Sequence, residues 1–169
     1  MKAKMLRALL PVALVFVMFS CSSDSDSETS VLTAEEVTLV TEFDYDEFEL
    51  RLMSNINDYR KSKNLPELLP IAHISYKSEE HNEFMIANNV VSHDNFEERS
   101  QNLIQVLGAY RVSENVAYNF NSTGAVLNAW LASPGHKANI EGDFSHFGIA
   151  VSINPETGRK YYTNMFIKK

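Results

Sequence analysis

The stretch HFGIAVSINPETGRKYYTNMFI (residues 146–167) decides the fold class of this 169-residue chain. Two runs rich in β-branched and aromatic residues, 146–153 and 159–167, flank the turn-forming sequence NPETG. This pattern predicts a β-hairpin. Because apolar residues recur at helical spacing upstream of it, helices come first and an antiparallel sheet comes last. The order predicts an α+β fold in which helices cover a small sheet.

The helices are predicted from apolar periodicity, caps and breakers, and they cover about residues 46–63, 71–89, 96–107 and 123–131. Residues 110–120 have the pattern of a strand or extended segment. The sequence SPGH then predicts a short further helix, with Ser133 as its N-cap and Pro134 in its first turn. His136 would lie in that first turn, where the helix dipole favours the neutral imidazole.

The N-terminal residues predict export and a lipid anchor. Three basic residues precede an apolar run, and residues 1–20 as a whole have the pattern of a lipoprotein signal peptide followed by Cys21. The run is too short for a membrane-spanning helix, which needs about 20 apolar residues. A plain signal peptide with an incidental cysteine is the alternative reading.

Residues 21–42, which contain the polar, acidic sequence SSDSDSETS (22–30) after Cys21, are predicted to form a flexible tether. One domain of ordinary size then remains at residues 43–169. We expect the protein in a bacterial cell envelope, attached to the membrane through a lipidated Cys21 and either periplasmic or surface-exposed.

The charge balance excludes one class of partner. Residues 1–20 contain three of the 15 basic residues and none of the 22 acidic ones, so the remaining chain has 12 against 22 and a formal charge of −10. Nucleic-acid binding requires basic patches, and we therefore expect no nucleic-acid partner. Because Cys21 is the single cysteine, no intramolecular disulfide can form. We expect a monomer.

Several polar residues could do chemistry, but their spacing alone does not define a site. His93 lies in a loop, and Glu114 interrupts an apolar, β-like segment, where an unpaired carboxylate would be costly to bury. His81 falls on the apolar face of the second helix and is predicted to be a hydrogen-bonded core residue, whereas His73 is predicted to be exposed. Neither H-E-x-x-H nor G-x-S-x-G occurs in the chain.

A series of motifs follows in a fixed order: NDYRKSKNLPEL (57–68), HNEFM (81–85), SHDNFEER (92–99), SENVAY (113–118), AWLASPGHKANI (129–140), FSHFGIAV (144–151) and YYTNMF (161–166). In content and order they resemble the bacterial branch of the CAP superfamily. These are SCP-like extracellular proteins, relatives of the cysteine-rich secretory and pathogenesis-related proteins. The resemblance covers about residues 50–167. It implies an α-β-α sandwich with a small antiparallel sheet between helical layers.

The resemblance also implies a cleft that contains His93, Glu114 and His136, with Asn115, Ser133 and Asn139 as supporting residues. The second acid of many eukaryotic relatives is missing, because Ser133 stands at its position, and Ser113 replaces the usual glycine. Two imidazoles and one carboxylate could hold zinc or another divalent cation. They could equally form a hydrogen-bonded cluster that fixes the loops around a groove.

Because a fold does not determine a function, two functions remain open. The first is a lipid-anchored binding module for an unknown extracytoplasmic ligand, with a cleft that holds a divalent metal. The alternative is a metal-assisted hydrolase of a peptide, ester or glycan that uses His93, Glu114 and His136.

Overall fold

The computed structural model describes residues 38–169, so Cys21 and the predicted signal peptide lie outside the described residues. Five helices and four strands follow one another along the chain. They are α1 (Glu47–Ser62), β1 (Leu69–Pro70), α2 (Ala72–Asn88), α3 (Phe96–Leu107), β2 (Arg111–Tyr118), α4 (Thr123–Ala132), α5 (Pro134–Ile140), β3 (His146–Ile153) and β4 (Lys160–Lys168). Each predicted helix and the predicted hairpin are therefore present.

The four strands form one sheet in the order β1-β3-β4-β2. β4 lies between β3 and β2 and pairs antiparallel with both. The prediction of a wholly antiparallel sheet is wrong at β1, which pairs parallel with β3. Two residues are too few to show the alternation that marks a strand, and two backbone bonds, Leu69 N–H to Ser145 O and Ile71 N–H to Phe147 O, hold β1 at the edge.

Helices cover both faces of the sheet, which gives the predicted three layers. On one face, α2 and α3 enclose a small core that includes Ile74, Leu103 and Met165. On the other face, α1, α4 and α5 enclose a larger core that includes Trp130 and Phe147. Because side chains alternate along a strand, odd-numbered residues of β4 face α2 and α3 while even-numbered residues face the other layer.

Side chains from the helices close the β3 edge of the sheet beyond β1. The N-cap Asp46 and Glu49 form a reciprocal capping box at the start of α1. The other carboxylate oxygen of Glu49 accepts a hydrogen bond from the Val151 N–H at 2.8 Å, and the Ser75 hydroxyl accepts one from the Ile149 N–H at 3.1 Å. The outward N–H groups of Ile149 and Val151 are therefore occupied.

The prediction that His73 is exposed is wrong, because only 1% of its surface is accessible. Its Nδ1 accepts a hydrogen bond from the Val40 N–H, and its Nε2 lies 2.7 Å from Asn102 Oδ1, so the proton is on Nε2. Burial lowers the pKa of this imidazole. The sequence around His73 did not reveal this burial, because distant parts of the chain, the segment before α1 and the helix α3, cover the ring.

Candidate functional site

The Glu114 carboxylate is the centre of the site, and it is buried on a β-strand. Its side chain is 1% exposed and faces the α2–α3 layer. Arg99 from α3 binds it in a bidentate manner, with Nε donating to Oε2 at 2.9 Å and Nη2 donating to Oε1 at 3.0 Å. Such a fork-to-fork pair has both charge and shape complementarity. The predicted need of Glu114 for a partner is thus met by a guanidinium.

The same arginine fixes the loop that carries His93. Arg99 Nη1 donates to the Asp94 carbonyl at 2.7 Å, and the Phe96 N–H donates to the His93 carbonyl at 3.1 Å. His93 Nδ1 lies 2.8 Å from Glu114 Oε1. Because a carboxylate accepts, the proton that forms this bond is on Nδ1, and Nε2 is the ring nitrogen that Glu114 does not engage. The side chain of His93 is 49% exposed, so this ring is open to a ligand.

His81 of α2 lies behind the carboxylate, in the core as predicted. Its Nδ1 is 3.6 Å from Glu114 Oε2 and 3.1 Å from Thr163 Oγ1. The Thr163 hydroxyl donates to Asn82 Oδ1, so it must accept from His81, which places the proton on Nδ1. Burial, the largest influence, lowers the pKa of His81 to about 4, and the ring is neutral at physiological pH.

Two asparagines attach α5 to the opposite face of the same strand. Asn139 Nδ2 donates to the Glu114 carbonyl at 3.1 Å and to Asn115 Oδ1 at 2.8 Å. Asn115 Nδ2 donates to the His136 carbonyl at 3.1 Å. Asn115 and Asn139 therefore position the predicted histidine, while Ser133, which occupies the N-cap position of α5, makes no side-chain capping bond.

His136 lies in the first turn of α5, as predicted. Its pKa is lowered, first by burial and second by the nearby charge of His93. We expected the helix dipole to favour the neutral form, whereas burial is the main cause of the shift.

The cleft lies at the edge of the sheet. β2 is the outermost strand, and Glu114 points to one helical layer while Asn115 points to the other. His93 is bound to the side chain of Glu114 on one side of this strand, and the backbone carbonyl of His136 is bound to Asn115 on the other. A pocket of about 280 Å³ opens there, lined by His93, Phe96, Val112, Ser113 and Glu114. A larger hollow of about 530 Å³, between the start of α1 and the start of α4, contains none of the predicted site residues.

A family model described as the cysteine-rich secretory protein family, CAP, matches residues 53–166. The chain belongs to the CAP family. Among curated proteins, the membrane protein YlbC of Bacillus subtilis is 36% identical over 99 residues, which are 53% of this chain and 25% of that protein. The chain thus spans about a quarter of the length of this relative.

Solved structures show the same CAP architecture. An outer surface protein from Borrelia burgdorferi has a TM-score of 0.68 and 23% identity, over 75% of this chain and 96% of that one. An extracellular SCP-domain protein from Bacillus anthracis has a TM-score of 0.63 and 28% identity, over 72% and 40%. A cysteine-rich secretory protein from Staphylococcus aureus has a TM-score of 0.58 and 19% identity, over 72% and 38%. Together they support the α+β sandwich that the motifs implied.

A divalent metal held jointly by His93, Glu114 and His136 does not fit this CAP cleft. Both oxygens of Glu114 already accept hydrogen bonds, and the Arg99 guanidinium lies 2.8 Å from Oε2. A metal at the carboxylate would meet that fixed positive charge. Within residues 38–169, no three His, Cys, Asp or Glu side chains are placed to hold a metal ion. Two imidazoles remain from the predicted ligand set.

Sequence reasoning missed Arg99, although a signal for it existed. A carboxylate in an apolar strand demands a cation, and the motif SHDNFEER supplies one arginine six residues after His93. Phe96 and Val112 were missed because their apolar side chains carry no chemical signature.

No helix within residues 38–169 is long and apolar enough to cross a membrane.

We predict strong coupling between Arg99 and Glu114. Glu114→Gln leaves a buried guanidinium without its counter-charge and should cost about 3–5 kcal/mol of unfolding free energy, as should Arg99→Met. The double variant should cost less than the sum of the two by about 2 kcal/mol. Urea denaturation at pH 7 measures all three.

Asp143→Asn, which breaks the exposed pair between Asp143 and Lys168, is the control and should leave stability almost unchanged. Simple additivity of the Arg99 and Glu114 effects would contradict the central role assigned to this pair.

We also predict that His81 makes stability depend on pH. The folded pKa is about 4 and the ordinary value is 6.5, so only the unfolded chain gains a proton here as the pH falls from 7 to 5. The folded state should lose about 2 kcal/mol over that interval through this group. The stability difference between wild type and His81→Gln should shrink by the same amount in urea titrations. His146→Gln, at a half-buried ring, should give a smaller change; equal changes would refute the assignment.

Proposed function

We propose that this CAP domain is a lipid-anchored, extracytoplasmic binding module whose recognition site is the cleft at His93, Glu114 and His136. The observation that carries the proposal is that Glu114 and His93 have different roles in the cleft. Its carboxylate is bound by Arg99 and orients His93, so it serves as a support, while the His93 ring stays open to solvent. A site built in this way holds binding groups in place before a ligand arrives.

A divalent metal enters this proposal through the two imidazoles. Nε2 of His93 is the ring nitrogen left for a metal, because Nδ1–H donates to Glu114. A carboxylate behind a histidine is the usual way in which proteins orient a metal-binding ring and raise its basicity. His136, whose pKa is lowered, would supply the second ring. Zinc bound here would keep further positions for water or for a group of the ligand.

The alternative function, a metal-assisted hydrolase, needs a general base in addition to the metal. Glu114 is unsuited to that role because Arg99 and His93 occupy its oxygens. The arrangement therefore favours binding over hydrolysis of a peptide, ester or glycan.

Location in the cell envelope is supported by the sequence and by the printed descriptions of relatives. Two CAP structures that resemble the chain are described as an outer surface protein and an extracellular protein, and the Bacillus subtilis relative is described as a membrane protein. Cys21 follows a basic and apolar leader, as in a lipoprotein. The proposed anchor is thus an acyl chain on Cys21.

Zinc titration tests the cleft. The full chain, solubilised in a mild non-ionic detergent, should bind one zinc ion at pH 7.5 in calorimetry. His93→Ala/His136→Ala should abolish the heat, and Glu114→Gln should weaken binding about 10–100-fold through loss of orientation.

His146→Ala, which removes a histidine outside the cleft, is the matched control and should bind as wild type does. Absence of heat from the wild-type chain would remove the metal from the proposal. Metal-dependent cleavage of a p-nitrophenyl ester that the double variant loses would instead favour the hydrolase.

Acyl labelling tests the anchor. Cells that express the full chain should incorporate an alkynyl fatty acid into it, and Cys21→Ser should lose the label because no other thiol exists in the chain. Ser22→Ala is the control and should retain the label. A wild-type chain without label, or a labelled Cys21→Ser chain, would contradict lipidation.

A further inference from the structure

The outer edge of the sheet at β2 differs from the edge at β3. The Asn119 N–H donates to the Lys160 carbonyl of β4, so odd-numbered residues in this register turn their backbone groups inward. The backbone groups of Val112, Glu114 and Val116 consequently point away from the sheet. An outward row of this kind is a template for pairing with another chain.

Protein side chains close only part of this row. Asn139 Nδ2 occupies the carbonyl of Glu114, and Trp130 Nε1 occupies the carbonyl of Val116 at 2.9 Å. No side chain or backbone group within residues 38–169 bonds to the C=O of Val112 or to the N–H of Glu114. On the β3 edge, by contrast, Ser75 and Glu49 accept from the outward N–H groups of Ile149 and Val151.

The two open groups flank Ser113 and match one residue of a parallel strand. In a parallel pair, one residue donates its N–H to the carbonyl before its partner and accepts from the N–H after it. Val112 C=O and Glu114 N–H provide this acceptor and this donor. Because the Glu114 carbonyl is already capped by Asn139, pairing stops there, and the edge accommodates a short segment.

The surroundings of this edge favour particular side chains on a segment that binds there. The neighbours of the paired residue point to the α3 layer, where the 280 Å³ pocket is lined by Phe96 and Val112. Asp94, Glu97 and Glu98 are exposed beside Phe96, and within the described chain none of these three carboxylates forms an ion pair. One side of the bound segment therefore meets an apolar pocket, and it also meets three uncompensated negative charges.

We propose that the 112–114 edge of β2 binds an extended peptide with an apolar residue, any residue and then a basic residue. The middle residue pairs with the edge, the apolar side chain enters the pocket beside Phe96 and Val112, and the basic side chain lies near Asp94, Glu97 and Glu98. This inference names the ligand class of the proposed binding module and rests on that proposal. Strand addition of this kind uses main-chain bonds for affinity and side-chain pockets for specificity.

The probe is a fluorescein-labelled peptide, Gly-Ser-Leu-Ser-Lys-Ser-Gly amide, and its binding to the full chain in mild detergent is followed by anisotropy. Methylation of the central serine nitrogen removes the N–H that Val112 C=O accepts and should weaken binding about tenfold. Replacement of the lysine by glutamate should weaken it by a similar factor.

Matched variants of the protein test the charges. Glu97→Gln/Glu98→Gln should weaken binding several-fold and reduce its dependence on salt. Glu67→Gln/Glu156→Gln removes the same charge from exposed positions elsewhere and should bind as wild type does. Both pairs leave the residues of the cleft unchanged.

Three results would overturn the peptide inference: equal affinity for the methylated peptide, equal affinity for the glutamate peptide, or no binding at millimolar protein. Zinc calorimetry on the same sample separates this failure from failure of the proposed function. A chain that binds zinc through His93 and His136 but discriminates among none of the peptides keeps the proposed function and loses the peptide inference. A chain that binds neither probe loses the peptide inference and also removes the metal from the proposed function.

Discussion

Burial of one carboxylate on an edge strand is the constraint on which the site depends. Only 6% of the surface of the whole Glu114 residue is exposed. An ionised group at such a position requires a charged partner and full hydrogen bonding. The Arg99 guanidinium meets that requirement with two hydrogen bonds to the carboxylate, and it also donates to the Asp94 carbonyl of the preceding loop. The position of His93 is therefore a consequence of charge compensation at Glu114.

His136 is held against the same strand by hydrogen bonds between neutral groups, whereas His93 is held through a charged pair. α5 packs on the opposite face of the sheet, and neutral amide bonds from Asn139 and Asn115 attach it to β2. One strand thus has a charged clamp on one face and an amide clamp on the other. The cleft can form only at the sheet edge, because only there can groups from both helical layers meet without a neighbouring strand between them.

The charges in the cleft fit the proposed role of Glu114, which is to hold the His93 ring in place. The pKa values of His81 and His136 are both lowered, chiefly by burial, and the guanidinium of Arg99 lies against Glu114. Membership of the CAP family establishes the architecture, whereas the chemistry follows from these particular contacts. The proposed peptide edge at Val112 and Glu114 lies next to the same carboxylate that orients His93.

The sequence by itself determined the helices, the hairpin and the fold class, because periodicity, caps and motif order are local properties of the chain. It also required a partner for Glu114 without naming Arg99. Only the tertiary structure decided that β1 runs parallel, that His73 is buried and that Glu114 is occupied by a guanidinium, which separates the carboxylate from any metal at the histidines. The physical reason is common to these cases: each depends on which distant segments share a surface, and the free energies of burial and charge pairing that select those contacts are not encoded in any single stretch of residues.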